Sequence, residues 1–426
     1  MDNVWNIVFV TSFILSIVMF LILFKNRKLV LKSKCIKQLP SGTLGLPFIG
    51  ETIEFVSCAY SDSPERFMDK RQHKYGKVFK SHIFGNRTIV SIDADVNKFI
   101  LQSDANVFVP SYPKSLTELM GKSSILVING SLQRRIHGLI GAFFKSQQLK
   151  AQITRDMQKY VQQSMANWRE EQPIYIQDET KNAKKKMVKL VQRIIETRRN
   201  SDTSKVPKDV VDVLLGDASE QLTDDLIADN MIDMMIPGED SVPVLITLAI
   251  KYLSQCPSAM QQLTEENVKI QKLKDQLGES LCWTDYLSLP FTQTVITETL
   301  RIGNVITGVM RKAKKDVEIK GYSIPKGWCV LAYFRSVHLD DKNYDCPYKF
   351  NPWRWQDKDM NSYIFTPFGG GQRLCPGLDL ARLEASIFLH HLVTQFMWYA
   401  EEDSIVNFPT VRMKKRMPIL VKRVEF

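Results

Sequence analysis

Cys375 stands in a ten-residue stretch, FGGGQRLCPG from Phe368 to Gly377, whose residue types suit chemistry better than packing. Gly369, Gly370 and Gly371 let the backbone turn tightly and approach a flat ligand closely. Pro376 suits the first turn of a helix, where its missing N–H is not needed. Leu380, Leu383 and Ile387 then fall on one face at helical spacing. A sulfur just ahead of a helix start sits near free amides and the positive end of the dipole, which favours thiolate over thiol. Arg373, two residues earlier, adds a cation able to pair with a carboxylate. Two plainer readings compete. A phosphate loop needs GK[ST] after its glycines, and here Gln372 and Arg373 follow instead. A buried structural cysteine would be inert, and it does not ask for a ten-residue pattern.

The spacing FxxGxRxCxG is similar to the haem-thiolate signature of the cytochrome P-450 monooxygenases at every fixed position. That resemblance implies haem b as cofactor, with Cys375 as the axial iron ligand and Phe368 and Gly371 as fixed positions of the haem loop. It also implies that Arg373 and Arg311, the latter in GVMRKA, meet the haem propionates.

Other stretches resemble the same family. Ser131 to Phe144, SLQRRIHGLIGAFF, has the period of an amphipathic helix, and Gln133 and His137 stand where the family carries W-x-x-x-R. His137 is expected to donate to a propionate, a carboxylate that favours the charged imidazole. A core or surface histidine is the plain alternative. The exposed arginines, Arg134 and Arg135, suit an acidic electron donor. Leu222 to Leu253 reads as a long helix interrupted by PGEDSVP (237–243), because Pro237 and Pro243 free the carbonyls of Asp233 and Glu239. Pro237 to Ser241 lie in register with the family's A-G-x-[DE]-T segment. By that resemblance Asp240 feeds protons and Ser241 relays them in place of threonine. Glu298 and Arg301, in ETLR, are three apart and share a helix face. With Arg354 of FNPWRW they resemble the family's core-locking triad. Val305, Ile306 and Val309 suit the lining of a pocket for an apolar substrate, with core packing as the equal alternative.

These motifs need a scaffold. The 426 residues, 44% apolar and 24% charged, suffice for a large core and exclude a disordered chain. The seven cysteines, at 35, 58, 256, 282, 329, 346 and 375, form no C-x-x-C pair, which argues against zinc and against a disulfide framework. Residues Ile7 to Phe24 form an uncharged apolar run of eighteen, followed by Lys25, Arg27, Lys28, Lys32, Lys34 and Lys37. That pattern predicts a transmembrane anchor over 1–24 with the following residues in the cytosol. The net charge of +11 fits an anionic membrane surface, and nucleic-acid binding is a weaker use of the same lysines. Residues 25–50 read as a basic stretch and a Pro/Gly hinge, and 51–426 as the haem-thiolate catalytic domain. Lys77 to Ile92 predicts two strands about a Gly85-Asn86 turn, and Val317 to Phe334 two more, about Gly321 and Pro325-Lys326-Gly327. Between Asn182 and Ala183 the sequence resembles the family on both sides but lacks several dozen residues that would roof the substrate cavity.

The expectation is therefore a mainly α fold with small β-sheets, the cytochrome P-450 fold, behind an N-terminal transmembrane helix in the endoplasmic reticulum membrane. The wording of 231–254 and 365–393 resembles plant brassinosteroid C-23 hydroxylases within the family. This implies hydroxylation of a steroid side chain with O2 and electrons from an NADPH-cytochrome reductase. Two alternatives remain: a related oxygenase acting at another position of a sterol or triterpenoid, and an inactive shortened form serving as a membrane interaction partner.

Overall fold

The computed structural model describes residues 39–112, 117, 123–179, 224–356, 363–408 and 410–424. The expected anchor over 1–24, the basic stretch up to residue 38 and the join at Asn182–Ala183 lie outside the described residues. Among the described residues no helix is long and apolar enough to cross a membrane.

The described residues begin along a sheet edge. Ser41 accepts from the Lys80 amide and Glu51 donates to the His82 carbonyl, so residues 41–51 run beside the first strand. Helices α1 (Thr52–Tyr60) and α2 (Arg66–Tyr75) lead into strands β1 (Val78–Ile83) and β2 (Asn86–Ser91). These pair antiparallel from Val78↔Ser91 to Ile83↔Asn86. The turn residues are Phe84 and Gly85, at φ 52° and 74°, one position earlier than the sequence suggests. Two left-handed residues match the twist of a tight hairpin. Helix α3 (Ala94–Gln102) follows, capped by Asp93, whose carboxylate accepts from the amides of Asp95 and Val96.

Strand β3 (Phe108–Pro110), helices α4 (Gly130–Lys145) and α5 (Gln147–Ala166) and strand β4 (Ile174–Tyr175) complete the first part. Next come α6 (Asp224–Ser254), α7 (Pro257–Leu277), α8 (Trp283–Leu287) and α9 (Pro290–Gly303). Proline opens α7 and α9, and left-handed Gly278 and Asn304 close them. Strands β5 (Gly308–Ala313), β6 (Val317–Ile319), β7 (Tyr322–Ile324) and β8 (Cys329–Tyr333) precede α10 (Phe334–His338) and α11 (Leu378–Gln395). Short strands β9 (Phe396–Ala400), β10 (Ile405–Val406), β11 (Arg412–Met413) and β12 (Pro418–Arg423) end the chain.

The largest sheet has the order β1-β2-β8-β5-β3, and a smaller one runs β4-β12-β9. Sequence reading expected two strands in 317–334; there are three, because Lys320 and Gly321 form a tight turn inside the first half. Strand β5 and the C-terminal strands were not expected at all. Both faces of β8 are buried, so no alternation marks it. Most apolar side chains gather where α5, α6, α7, α9 and α11 meet, with Leu248, Val295, Ile296, Leu383 and Ile387 fully enclosed.

One expectation fails here. The interruption predicted at PGEDSVP does not occur, and α6 runs through Pro237 and Pro243 for 31 residues. Each proline removes one hydrogen bond, but Val242 to Ile250 pack in the core and keep the helix continuous past the loss.

Three buried histidines make the fold acid-sensitive. Burial lowers His338 and His390 to about 3 and His391 to about 4. In the unfolded chain each titrates near 6.5, so the unfolded state binds more protons below that pH. Their contribution is complete above about 6.5 and is lost as pH falls towards 3 to 4. Urea unfolding midpoints should therefore hold steady from pH 8 to 7 and fall from 6.5 to 5. In that range each histidine approaches a tenfold shift in the folding equilibrium per pH unit. A midpoint unchanged at pH 5 would contradict the burial of neutral imidazoles.

Candidate active site

Cys375 lies in a loop shaped by its own backbone. The Cys375 amide donates to the Phe368 carbonyl at 3.1 Å, the Leu374 amide to Gly371 at 3.2 Å, and the Gly369 amide to Thr366 at 3.0 Å. Gly371 adopts φ 64°, and a Cβ there would meet the Leu101 carbonyl oxygen at 2.1 Å. Glycine is required by both constraints.

The helix starts later than expected. Leu378 is the first residue of α11 and Gly377 its N-cap, so Pro376 precedes the helix. The half-buried sulfur receives the Gly377 amide, yet burial pushes the Cys375 thiol up from its ordinary value. This corrects the expectation that the helix start alone favours thiolate, because one amide does not offset desolvation. A thiol of this kind loses its proton readily only when a metal ion takes the proton's place.

Two guanidinium groups face the same small cavity, lined by Ile100, Leu101, Phe108, Gln133, Arg311 and Arg373. Arg311 is buried and, among the described residues, donates only to the Met310 carbonyl, at 3.0 Å. Arg373 donates from Nη1 to Ile125 at 3.0 Å and from Nη2 to the Ile128 carbonyl at 2.5 Å and Asn129 Oδ1 at 2.9 Å. No carboxylate pairs with either arginine among the described residues. Burial and the Arg311 charge lower Arg373 to about 10. Two like charges sharing a desolvated wall call for anions, and haem brings two carboxylates. With a thiol two residues beyond Arg373 in the same loop, the residues present fit haem.

Helix α4 also touches the loop. Gln133 Nε2 donates to the Gln372 carbonyl at 3.3 Å, and His137 Nε2 lies 2.7 Å from the Leu374 carbonyl oxygen. Gln133 lines the arginine cavity, whereas the ring nitrogen of His137 is spent on the loop.

Asp240 is exposed and Ser241 half-buried, both on α6. The side chains of 237–239 lie outside what is described. Val305 packs against the helical core and Val309 against the sheet, while Ile306 is 48% exposed.

Glu298 is fully buried on α9 and accepts five hydrogen bonds. Arg301 contacts both of its oxygens, Nη2 to Oε1 at 2.7 Å and Nε to Oε2 at 2.9 Å. Arg354 Nε and the Asn351 amide each reach Oε1 at 3.0 Å, and Trp355 Nε1 reaches Oε2 at 2.8 Å. Arg301 also donates to the carbonyls of His338 and Pro347, at 2.8 and 2.7 Å.

Sequence reading missed two further partners. Asn304 Oδ1 lies 2.7 Å from His338 Nδ1, and the Thr366 amide donates to His338 Nε2 at 3.0 Å. With burial holding His338 neutral, the proton sits on Nδ1 and points at Asn304. Asn304 was findable as the left-handed cap after ETLRIG. Nothing in the spacing singled out His338.

A cysteine loop, a buried Glu–Arg–Arg cluster and a helical body with small sheets define the haem-thiolate monooxygenases. The model of the cytochrome P450 family matches residues 172–422, and the chain belongs to that family. It is 60% identical to the Arabidopsis thaliana protein named 3-epi-6-deoxocathasterone 23-monooxygenase CYP90D1 over 442 aligned positions, spanning 91% of this chain and 90% of that protein. It is 49% identical to a second Arabidopsis thaliana protein of that activity name, CYP90C1, over 91% of this chain and 85% of that one. The fold is similar to that of retinoic acid-bound cyanobacterial CYP120A1, with TM-score 0.79 and 21% identity over 91% of this chain and 99% of the other. Members of this family are monooxygenases that use haem b, and this chain is one of them.

Removing the Glu298 carboxylate would strand two guanidiniums and an indole N–H without their acceptor. Glu298→Ala should cost about 3–5 kcal/mol in chemical denaturation, the usual penalty for breaking a buried pair. A loss below about 1 kcal/mol, typical of exposed pairs, would show that the cluster is dispensable.

Proposed function

We propose that the protein hydroxylates C-23 of a steroid side chain, in brassinosteroid formation, using O2 and electrons passed from NADPH by a membrane-bound reductase. The observation that carries this reading is the 60% and 49% identity to two proteins both named for 23-monooxygenation. The reaction balances as one C–H bond and O2, with two electrons and two protons, giving an alcohol and water. Bound haem supplies the activation of O2 and the insertion of one oxygen atom into the C–H bond.

The chain's own residues do the rest. Cys375 would hold the haem iron through its sulfur, on a loop that Gly371 allows to pack on Leu101. Arg311 and Arg373 neutralise the propionates, a role supported by their lack of carboxylate partners among the described residues. Asp240 takes protons from solvent, consistent with its exposure, and passes them through the Ser241 hydroxyl. Val305, Ile306 and Val309 present apolar surface to the steroid, and the exposure of Ile306 supports that use.

The domain is anchored in the endoplasmic reticulum membrane by residues 1–24 and faces the cytosol. Supporting this, Leu46, Phe48, Ile49 and Ile53 are 65%, 83%, 49% and 62% exposed directly after the basic stretch. Clustered exposed apolar side chains of this kind suit contact with lipid.

One observation favours a second reading, a shortened form. The alignment with the 60% identical relative spans 442 positions, but 91% of 426 residues is about 388. Roughly fifty positions of that relative thus face no residue of this chain. This supports a segment lost after Asn182 and an open substrate pocket.

Purified protein reconstituted with an NADPH-dependent reductase should convert 3-epi-6-deoxocathasterone, the steroid in both relatives' names, to its 23-hydroxy product. Absent turnover, with haem bound poorly or with no substrate-induced spectral change, supports the shortened, inactive form. Product oxygenated at another carbon would overturn the C-23 assignment. In the active protein, Asp240→Asn should uncouple NADPH consumption from product, and full coupling in that variant would remove Asp240 from proton delivery.

A further inference from the structure

Two side chains of α4 hold the peptide carbonyls on either side of Arg373. Gln133 and His137 are four apart, so both point from one face of the helix. One reaches the Gln372 carbonyl at 3.3 Å and the other the Leu374 carbonyl at 2.7 Å. The Arg373 side chain runs in the opposite direction, to the carbonyls of Ile125 and Ile128 and to Asn129, the N-cap of the same helix. The segment before Cys375 and the start of α4 are thus clasped reciprocally by five hydrogen bonds.

We propose that His137, with Gln133, is a positioning residue that holds the Cys375 loop, rather than a partner of the cofactor's carboxylates. The proposal rests on Cys375 being the iron ligand. The carbonyl that His137 meets belongs to the peptide whose N–H is that of Cys375, and that N–H donates to Phe368 at 3.1 Å. Hydrogen bonding at the carbonyl end polarises the amide end, so the two bonds reinforce each other. Two of the five N–H donors of Arg373 have no acceptor among the described residues, which leaves propionate contact to the arginines. A neutral imidazole with its proton on Nε2 suffices for this role. Charge is not required, only a donor at the right reach.

The test uses the haem-loaded protein and reads the ligand rather than turnover. His137→Ala should speed conversion of the reduced, CO-bound thiolate-type Soret band to the form without thiolate. The expected change is on the order of two- to tenfold, the worth of one hydrogen bond. His137→Gln, which keeps a neutral donor of similar reach, should restore wild-type conversion. A wild-type rate in His137→Ala overturns the proposal. So does a His137→Gln variant as labile as His137→Ala, which would assign a charge role towards the propionates. Cys375→Ala is the control for the ligand itself: a surviving thiolate band there defeats the ligand reading, independently of what His137 does.

Discussion

A single buried carboxylate organises the middle of this protein. Glu298 sits on α9 with no exposed surface and is surrounded by donors from Arg301, Asn351, Arg354 and Trp355. An uncompensated charge at that depth would cost several kcal/mol, so none of the partners is free to leave. Arg301 carries the constraint onward to the His338 carbonyl, and His338 in turn accepts from the Thr366 amide. Thr366 accepts from Gly369, and the Cys375 amide closes on Phe368. A run of short hydrogen bonds thereby ties the Glu298 cluster to the sulfur loop. Its worth is precision of placement, since an isolated loop of three glycines would sample many shapes.

The site's electrostatics are built for something the protein does not itself provide. Elsewhere, cations withdrawn from solvent find carboxylates: Arg71 meets Glu51 and Glu54, and Arg335 meets Glu65. Around the cysteine loop the pattern reverses. Arg311 and Arg373 turn to carbonyls or to the cavity, and their mutual repulsion lowers Arg373. The thiol is likewise held neutral by burial. Both deficits are of the sign that haem repairs, with two carboxylates for the arginines and an iron for the sulfur. This complementarity argues from the residues towards the cofactor that the family uses.

The sequence carried the local pattern well and the long-range partners poorly. FGGGQRLCPG marked the loop because glycine, cysteine and proline have strong individual meanings at fixed spacing. ETLR exposed Glu298 and Arg301 because three residues is a helical repeat. In contrast, β8 is buried on both faces, β10 and β11 have two residues each, and FMWYA and PILVKR do not alternate polar with apolar, so none carries the pattern that identifies a strand. His137 was legible as a polar residue on an amphipathic helix, but whether it faced a carboxylate or a carbonyl depends on the fold of residues 372–374. Asn304 and His338, 34 positions apart, pair through tertiary packing that no local spacing encodes.

The same distinction bears on α6. Prolines at 237 and 243 remove the amides that would have answered the carbonyls of Asp233 and Glu239, and the helix nevertheless continues. Propensity alone favours a break, at about 3 kcal/mol per proline. The residues that follow, from Val242 to Leu253, bury nearly all of their apolar surface against α9 and α11. At about 25 cal/mol per Å2, several enclosed valines, leucines and isoleucines outweigh that cost. What survives is a continuous helix with two carbonyls lacking their usual amide, beside the solvent-exposed Asp240. Acceptors left in this way need another donor, because a dry, unpaired carbonyl costs about 1–3 kcal/mol. Packing keeps the rod intact across both prolines, and the prolines leave two acceptors on it open to a donor from outside the helix.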